Sequence, residues 1–221
     1  MGEWIKLTSA DGFEFSAWKE IPEGAPRGAV VVVQEIFGVN HHIRSIAHRL
    51  AAAGYVAIAP AIFDRVEPGF DVGYDDAGRS QGFGIYGKLD MGKAREDIAA
   101  AVEAAKDGGK VGIVGFCLGG ALTWASSALT PDVDAAIGFY GNILSIKNLT
   151  PKAPTQMHFG EKDGHIPVAE IRAIAAANPE TGFYYYPADH GFACDERGAF
   201  HAESAAIAWG RAIEFFAKHL A

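Results

Sequence analysis

Apolar and polar positions along the chain alternate between two periods. Trp4–Thr8 and Phe13–Trp18 alternate strictly around Ala10-Asp11-Gly12, which predicts an antiparallel hairpin with one wet face. Ala29–Val33 is an uncharged, β-branched run, the pattern of a central strand buried on both faces. From His41 to about Ala53 the period changes to that of a helix. Ile43, Ile46, Ala47 and Leu50 fall on one face, Asn40 stands at the cap position and Gly54 ends the run. Tyr55–Pro60 is the next strand. Phe63 to Gly87 is rich in Gly, Asp and aromatics without a clear period, and is read as a long loop forming a lid or pocket wall.

Beyond it the alternation is regular. A helix is predicted over Met91–Lys106, a strand over Val111–Val114, a helix to about Ala128 and a strand over Ala135–Tyr140. A strand over Pro154–Phe159, a helix near Val168–Ala177, a strand over Phe183–Tyr186 and a helix over His201–Leu220 complete the chain. Strands alternating with helices predict an α/β fold with a mostly parallel central sheet, helices on both faces and an N-terminal antiparallel hairpin. Without a linker, repeat or low-complexity stretch, residues 1–221 read as a single domain.

The junction after Val114 is the most specific chemical signal. Gly115-Phe116-Cys117-Leu118-Gly119 has the nucleophile-elbow pattern with cysteine in place of serine. Such a turn lifts the side chain above the strand and sets it at a helix N-terminus, where the dipole favours a thiolate. A thiolate nucleophile needs a base, and the base needs an orienting carboxylate. Asp163 falls just after the strand ending at Phe159, and His190 just after the tyrosine strand. Their order, nucleophile then acid then histidine, is that of α/β-hydrolases. Asp189 and His165 adjoin this pair and could exchange roles with it. His41, His42, His158 and His201 fall on predicted helices or a strand and read as structural or solvated.

Glu35 follows the buried Ala29–Val33 strand, so its carboxylate must be paired, hydrogen-bonded or protonated. The next residue, Ile36, can offer its N–H beside that of Leu118, and two such donors make an oxyanion hole.

These segments resemble the dienelactone hydrolase (carboxymethylenebutenolidase) family. The likeness rests on Gln34-Glu35-Ile36-Phe37-Gly38-Val39-Asn40, on Gly112 to Gly120 around Cys117, on Asp163 followed by Pro167, and on His190-Gly191-Phe192-Ala193. It runs from Asp11-Gly12 to the final helix. It implies an α/β-hydrolase fold and a triad of Cys117, Asp163 and His190. It also implies that Glu35 takes the thiol proton when substrate arrives, and an oxyanion hole from Ile36 and Leu118. At rest the thiol can bond to the Glu35 carboxylate. The implied activity is hydrolysis of a small, carboxylate-bearing ester or lactone through a thioester. Dienelactone-cleaving members hold the substrate carboxylate with two arginines. Arg79 matches one of them, whereas the position of the second is Cys194, with Arg197 nearby as a substitute. Phe83 stands where those members carry a tyrosine. Other readings are an esterase or thioesterase of different acyl specificity, or a non-catalytic member whose pocket only binds a ligand or whose Cys117 responds to redox state, with Cys194 as its resolving thiol.

Composition narrows the alternatives. The net charge of −8 is spread without a basic cluster, which argues against nucleic acid and a polybasic membrane contact. Met1–Lys6 lacks the basic and apolar regions of a signal peptide, and no run is apolar enough to span a bilayer. Two cysteines make neither a disulfide framework nor a zinc motif, and a cysteine nucleophile fits a reducing cytoplasm. No metal or cofactor is expected, and the expected partner is a small-molecule substrate bound by a monomer or weak homo-oligomer.

Overall fold

The computed structural model describes residues 2–221, so of the N-terminal segment read above Met1 lies outside the described residues. Eight strands form one sheet: β1 Glu3–Thr8, β2 Glu14–Glu20, β3 Ala29–Val33, β4 Val56–Pro60, β5 Val111–Phe116, β6 Ala135–Phe139, β7 Thr155–Gly160 and β8 Gly182–Tyr186. Their order is β1-β2-β4-β3-β5-β6-β7-β8. The first two form the expected hairpin, which joins β4 antiparallel; all later pairs are parallel.

The uniformly apolar β3 is sorted by the pleat. Val30 and Val32 face one layer with Ile43, Ile46 and Leu50 of α1 (His41–Ala52). Val31 and Val33 face the other, with Ile98 and Val102. A strand buried on both faces therefore has no polar side to show in its sequence. The Asn40 side chain accepts from the Ile43 N–H at 3.2 Å, capping α1 as expected.

The segment read as a loop between Phe63 and Gly87 holds a helix, α2 (Asp76–Tyr86), preceded by a 3-10 turn at Ile62–Arg65. The physical reason is that α2 packs through glycine rather than through a large apolar stripe. Asp75 caps it by accepting from the Gly78 N–H at 2.7 Å. Its buried residues are Gly78, Gly82 and Ile85. A Cβ on Gly82 would lie 2.3 Å from the Ile36 carbonyl oxygen, so the helix approaches β3's exit as closely as a backbone can. Hydrophobic periodicity cannot register such a contact.

Helices α3 (Met91–Ala105), α4 (Leu118–Leu129), α5 (Val168–Ala177) and α6 (Ala202–His219) complete the layers. α4 follows the elbow directly and is apolar nearly all round, as befits a helix buried against the sheet. A Cβ on Gly119 would meet the Val33 carbonyl oxygen at 2.2 Å. Gly119→Ala therefore forces β3 and α4 apart and is expected to cost about 3 kcal/mol, which lowers the midpoint of thermal unfolding by roughly 6–12 °C in a domain of this size. Gly210→Ala in α6, with nothing within 4 Å of the added carbon, is the matched control and should leave the midpoint level or slightly raised. Equal midpoints for the two variants would contradict the close approach.

Candidate active site

The carboxyl ends of the parallel strands converge on one place. β3 delivers Glu35 and Ile36, β5 delivers Cys117, β6 delivers Tyr140, and the loops after β7 and β8 deliver Asp163 and His190. Open α/β sheets bind ligands at this edge.

Cys117 has φ 53° and ψ −112°, the left-handed turn that an elbow requires. A non-glycine residue there stores about 1–3 kcal/mol of strain. Its surroundings hold it in place. The Cys117 N–H donates to the Phe139 carbonyl at 3.0 Å. A Cβ on Gly115 would lie 2.1 Å from the Gly119 carbonyl oxygen, so the turn closes only with glycine there. Leu118 opens α4, where the first N–H groups have no intrahelical acceptor.

His190 Nδ1 lies 2.8 Å from Asp163 Oδ2. The other Asp163 oxygen accepts the N–H groups of His165 and Ile166 at 2.8 and 3.1 Å, which fixes the carboxylate from behind. Burial alone would raise the Asp163 pKa, but His190 and these two amides outweigh it and hold the group below its usual value. Burial pulls the His190 pKa down. The hydrogen bond with Asp163 and the influence of the Cys117 sulfur overcome that and raise it to about 10. Asp189 accepts from the backbone N–H of His190 at 2.6 Å, whereas the ring itself pairs with Asp163. His158, fully buried, bonds Tyr186 through Nδ1 at 2.8 Å and is held neutral by burial, to about 3.

Glu35 is fully buried. Its Oε1 accepts from Arg197 Nη1 at 2.9 Å and its Oε2 from the Tyr74 hydroxyl at 2.9 Å. The carboxylate thus faces Arg197 and Tyr74 in this structure; the sequence left its orientation open, with a bond to the thiol as one possibility. Burial and the Glu35 charge push the Tyr74 pKa upward, so the phenol remains a donor. Cys194 is buried beside this group, and burial, reinforced by Glu35, raises its thiol to about 12.

A cavity of about 380 Å³ opens over the site. Cys117, His190, Ile36 and Leu118 lie at its floor, with Tyr140 and Arg197 beside them. Arg79 and Phe83, both on α2, stand on its wall and are more than half exposed. Arg79 is paired with Asp76 at 2.7 Å on the helix surface. Tyr74 and Tyr140 were not singled out from the sequence. Tyr74 lies in the stretch without a period, and Tyr140 was counted as the last residue of a strand. It instead leaves the strand with φ 37°, its ring 5.1 Å from that of His190 and its hydroxyl without a partner among the described residues.

The Dienelactone hydrolase family model matches residues 15–220. Carboxymethylenebutenolidase from Pseudomonas putida is 35% identical, covering 97% of this chain and 96% of its own. The enzyme of the same name from Pseudomonas knackmussii matches to the same extent, 35% over 97% and 96%. A candidate dienelactone hydrolase from Klebsiella pneumoniae subsp. pneumoniae superimposes with a TM-score of 0.86 at 29% identity, covering 99% of this chain and 98% of its own. The sheet order, the strand-end site and these matches agree on an α/β-hydrolase fold. The chain belongs to the dienelactone hydrolase family of carboxylic ester hydrolases.

Proposed function

We propose that this hydrolase cleaves an ester or lactone bond of a small, carboxylate-bearing substrate through a cysteine thioester. The observation that carries the reading is the pairing of His190 with Asp163 and the strained elbow of Cys117, with the imidazole and the sulfur opening on one cavity. The Cys117 thiolate attacks the carbonyl carbon while protonated His190 balances its charge. The developing oxyanion is received by the N–H groups of Ile36 and Leu118. The alkoxide or enolate leaves with the proton of His190, and the thioester remains. Neutral His190 then takes a proton from water, whose oxygen attacks the thioester carbon, and the acid and the thiol are released. Tyr140 bounds this space and orients the His190 ring by packing.

The carboxylate preference rests on Arg197 and Arg79. The guanidinium of Arg197 has five donors, of which Glu35 engages one nitrogen, and the residue borders the cavity. A substrate carboxylate placed there shares this cation with Glu35 and loosens the glutamate, freeing it to take the thiol proton and pass it to His190, which gives the thiolate–imidazolium pair that attacks. Both Pseudomonas relatives carry the carboxymethylenebutenolidase name, a lactone bearing a carboxymethylene group. Cys194, buried and with a raised pKa, lacks the exposed, acidic character of a resolving thiol.

The test compares chromogenic esters with and without a carboxylate. Arg79 is well exposed, so its attraction for an anion is screened, and Arg79→Ala should cost about 5-fold in kcat/KM on charged esters only. Arg197→Ala leaves Glu35 buried without its cation and should depress both classes, with a larger fall on the charged one. Equal losses on charged and neutral esters in both variants would remove carboxylate recognition from the proposal and leave a general esterase.

A further inference from the structure

A second group of chemically capable side chains lies behind the segment that delivers Arg197. His42, in the first turn of α1, is fully buried, yet neither ring nitrogen is hydrogen-bonded among the described residues. Its Nδ1 faces Asp195 Oδ1 at 3.3 Å, outside hydrogen-bonding geometry. One ligand atom each from His42, Asp195 and Glu196 falls within 4.8 Å of the others. Next to them, His41 Nδ1 lies 2.6 Å from Glu196 Oε1, although the two are 155 residues apart in sequence.

A buried imidazole with unused nitrogens normally finds a hydrogen-bond partner. Here the Nδ1 side opens onto two carboxylates instead. Ligands at 2.0–2.2 Å from a single ion stand about 3–4 Å apart. The two carboxylates are on the surface side of the cluster, and a small inward turn brings them to that spacing. Asp195 already bonds Arg49 through Oδ2 at 2.6 Å, which opposes a cation but leaves Oδ1 toward His42.

We propose that His42, Asp195 and Glu196 form a site for a divalent cation of the zinc class, its remaining position open to solvent. The donor set, imidazole nitrogen and carboxylate oxygen, is that of zinc rather than of calcium or magnesium, which take oxygen alone. The segments involved have no zinc spacing in sequence, because α1 and the loop after β8 supply the halves. Asp195 and Glu196 directly precede Arg197, so a bound cation braces the loop that presents Arg197 to Glu35.

The test is calorimetric titration of zinc chloride into tag-free protein at pH 7.5, in the Cys117→Ala background so that the elbow thiol does not compete. One equivalent should bind. Asp195→Asn and Glu196→Gln, both surface changes, should each weaken it by at least 10-fold, and His219→Ala on α6 should leave it unaltered. His42→Gln should abolish it; if that variant does not fold, the two carboxylate variants decide. No saturable binding, or binding indifferent to Asp195 and Glu196, overturns the site. Because the readout is binding in a protein without the elbow thiol, neither result depends on the catalytic reading.

Discussion

A Cys117→Ala protein is expected to lose at least about 10⁴-fold in kcat/KM toward every ester and lactone that the wild type cleaves, charged or neutral. On the proposed mechanism, removing the sulfur removes the group that forms the acyl intermediate. The cavity, the amides of Ile36 and Leu118 and the His190–Asp163 pair persist, so substrate binding survives and residual catalysis comes from the oxyanion site alone. Cys117→Ser should recover little, since a hydroxyl is far less acidic than a thiol and His190 is tuned to an anion. Steady-state rates, together with mass spectrometry of protein quenched during turnover, check this result. An acyl adduct on wild type that is missing from both variants is the expected pattern. Alanine activity within 10-fold of wild type would show that water attacks directly and that Cys117 is not the nucleophile.

The second large effect is expected at His190. His190→Ala should lower kcat/KM by about 10³-fold or more. On the proposed mechanism two functions are lost together: the imidazolium that stabilises the thiolate, and the base that activates water. The pH dependence separates them. With a pKa raised to about 10, His190 in the wild type remains protonated through neutral pH and loses its proton only as pH rises through that value. The alkaline limb of kcat/KM should therefore fall near pH 10, because a neutral ring can neither balance the thiolate nor protonate the leaving group. In Cys117→Ala the sulfur's contribution to that raised value is gone, so the ring should titrate lower, observable by NMR of the imidazole protons. In His190→Ala the limb should disappear, and rates should climb with pH as hydroxide forms the thiolate and hydrolyses the thioester unaided. An unchanged alkaline limb in His190→Ala would assign that proton to another group.

The parts legible from the sequence share a physical character. The elbow could be read because its pattern is local: the cysteine lies between two glycines, and Gly115 is demanded by the Gly119 carbonyl four residues on. Asp163 and His190 could be read because each follows a strand whose apolar run is unambiguous. The hairpin and the order of strands and helices follow from simple periods. The parts that could not be read depend on contacts between distant segments. α2 escaped notice because its buried face is glycine, and burying glycine leaves no hydrophobic trace. The partners of Glu35 escaped because Tyr74 and Arg197 lie far along the chain, the latter 162 residues away. Burial after β3 required a partner without saying which. Arg197 was visible as a substitute for the cation missing at Cys194, and only the folded loop brings it onto the glutamate. His42 read as a structural histidine for the same reason: its neighbours in space are not its neighbours in sequence.

Helix α2 divides responsibility within the cavity. Gly82 rests directly on the Ile36 carbonyl, so the helix axis is pinned to the same short stretch of backbone that carries the amide proposed to receive the oxyanion. Arg79 and Phe83 project from that pinned axis one turn apart. Substituent preference can therefore be rewritten at these two side chains while the reaction floor stays where it is. Variation within a library should be tolerated at positions 79 and 83 and rejected at 82.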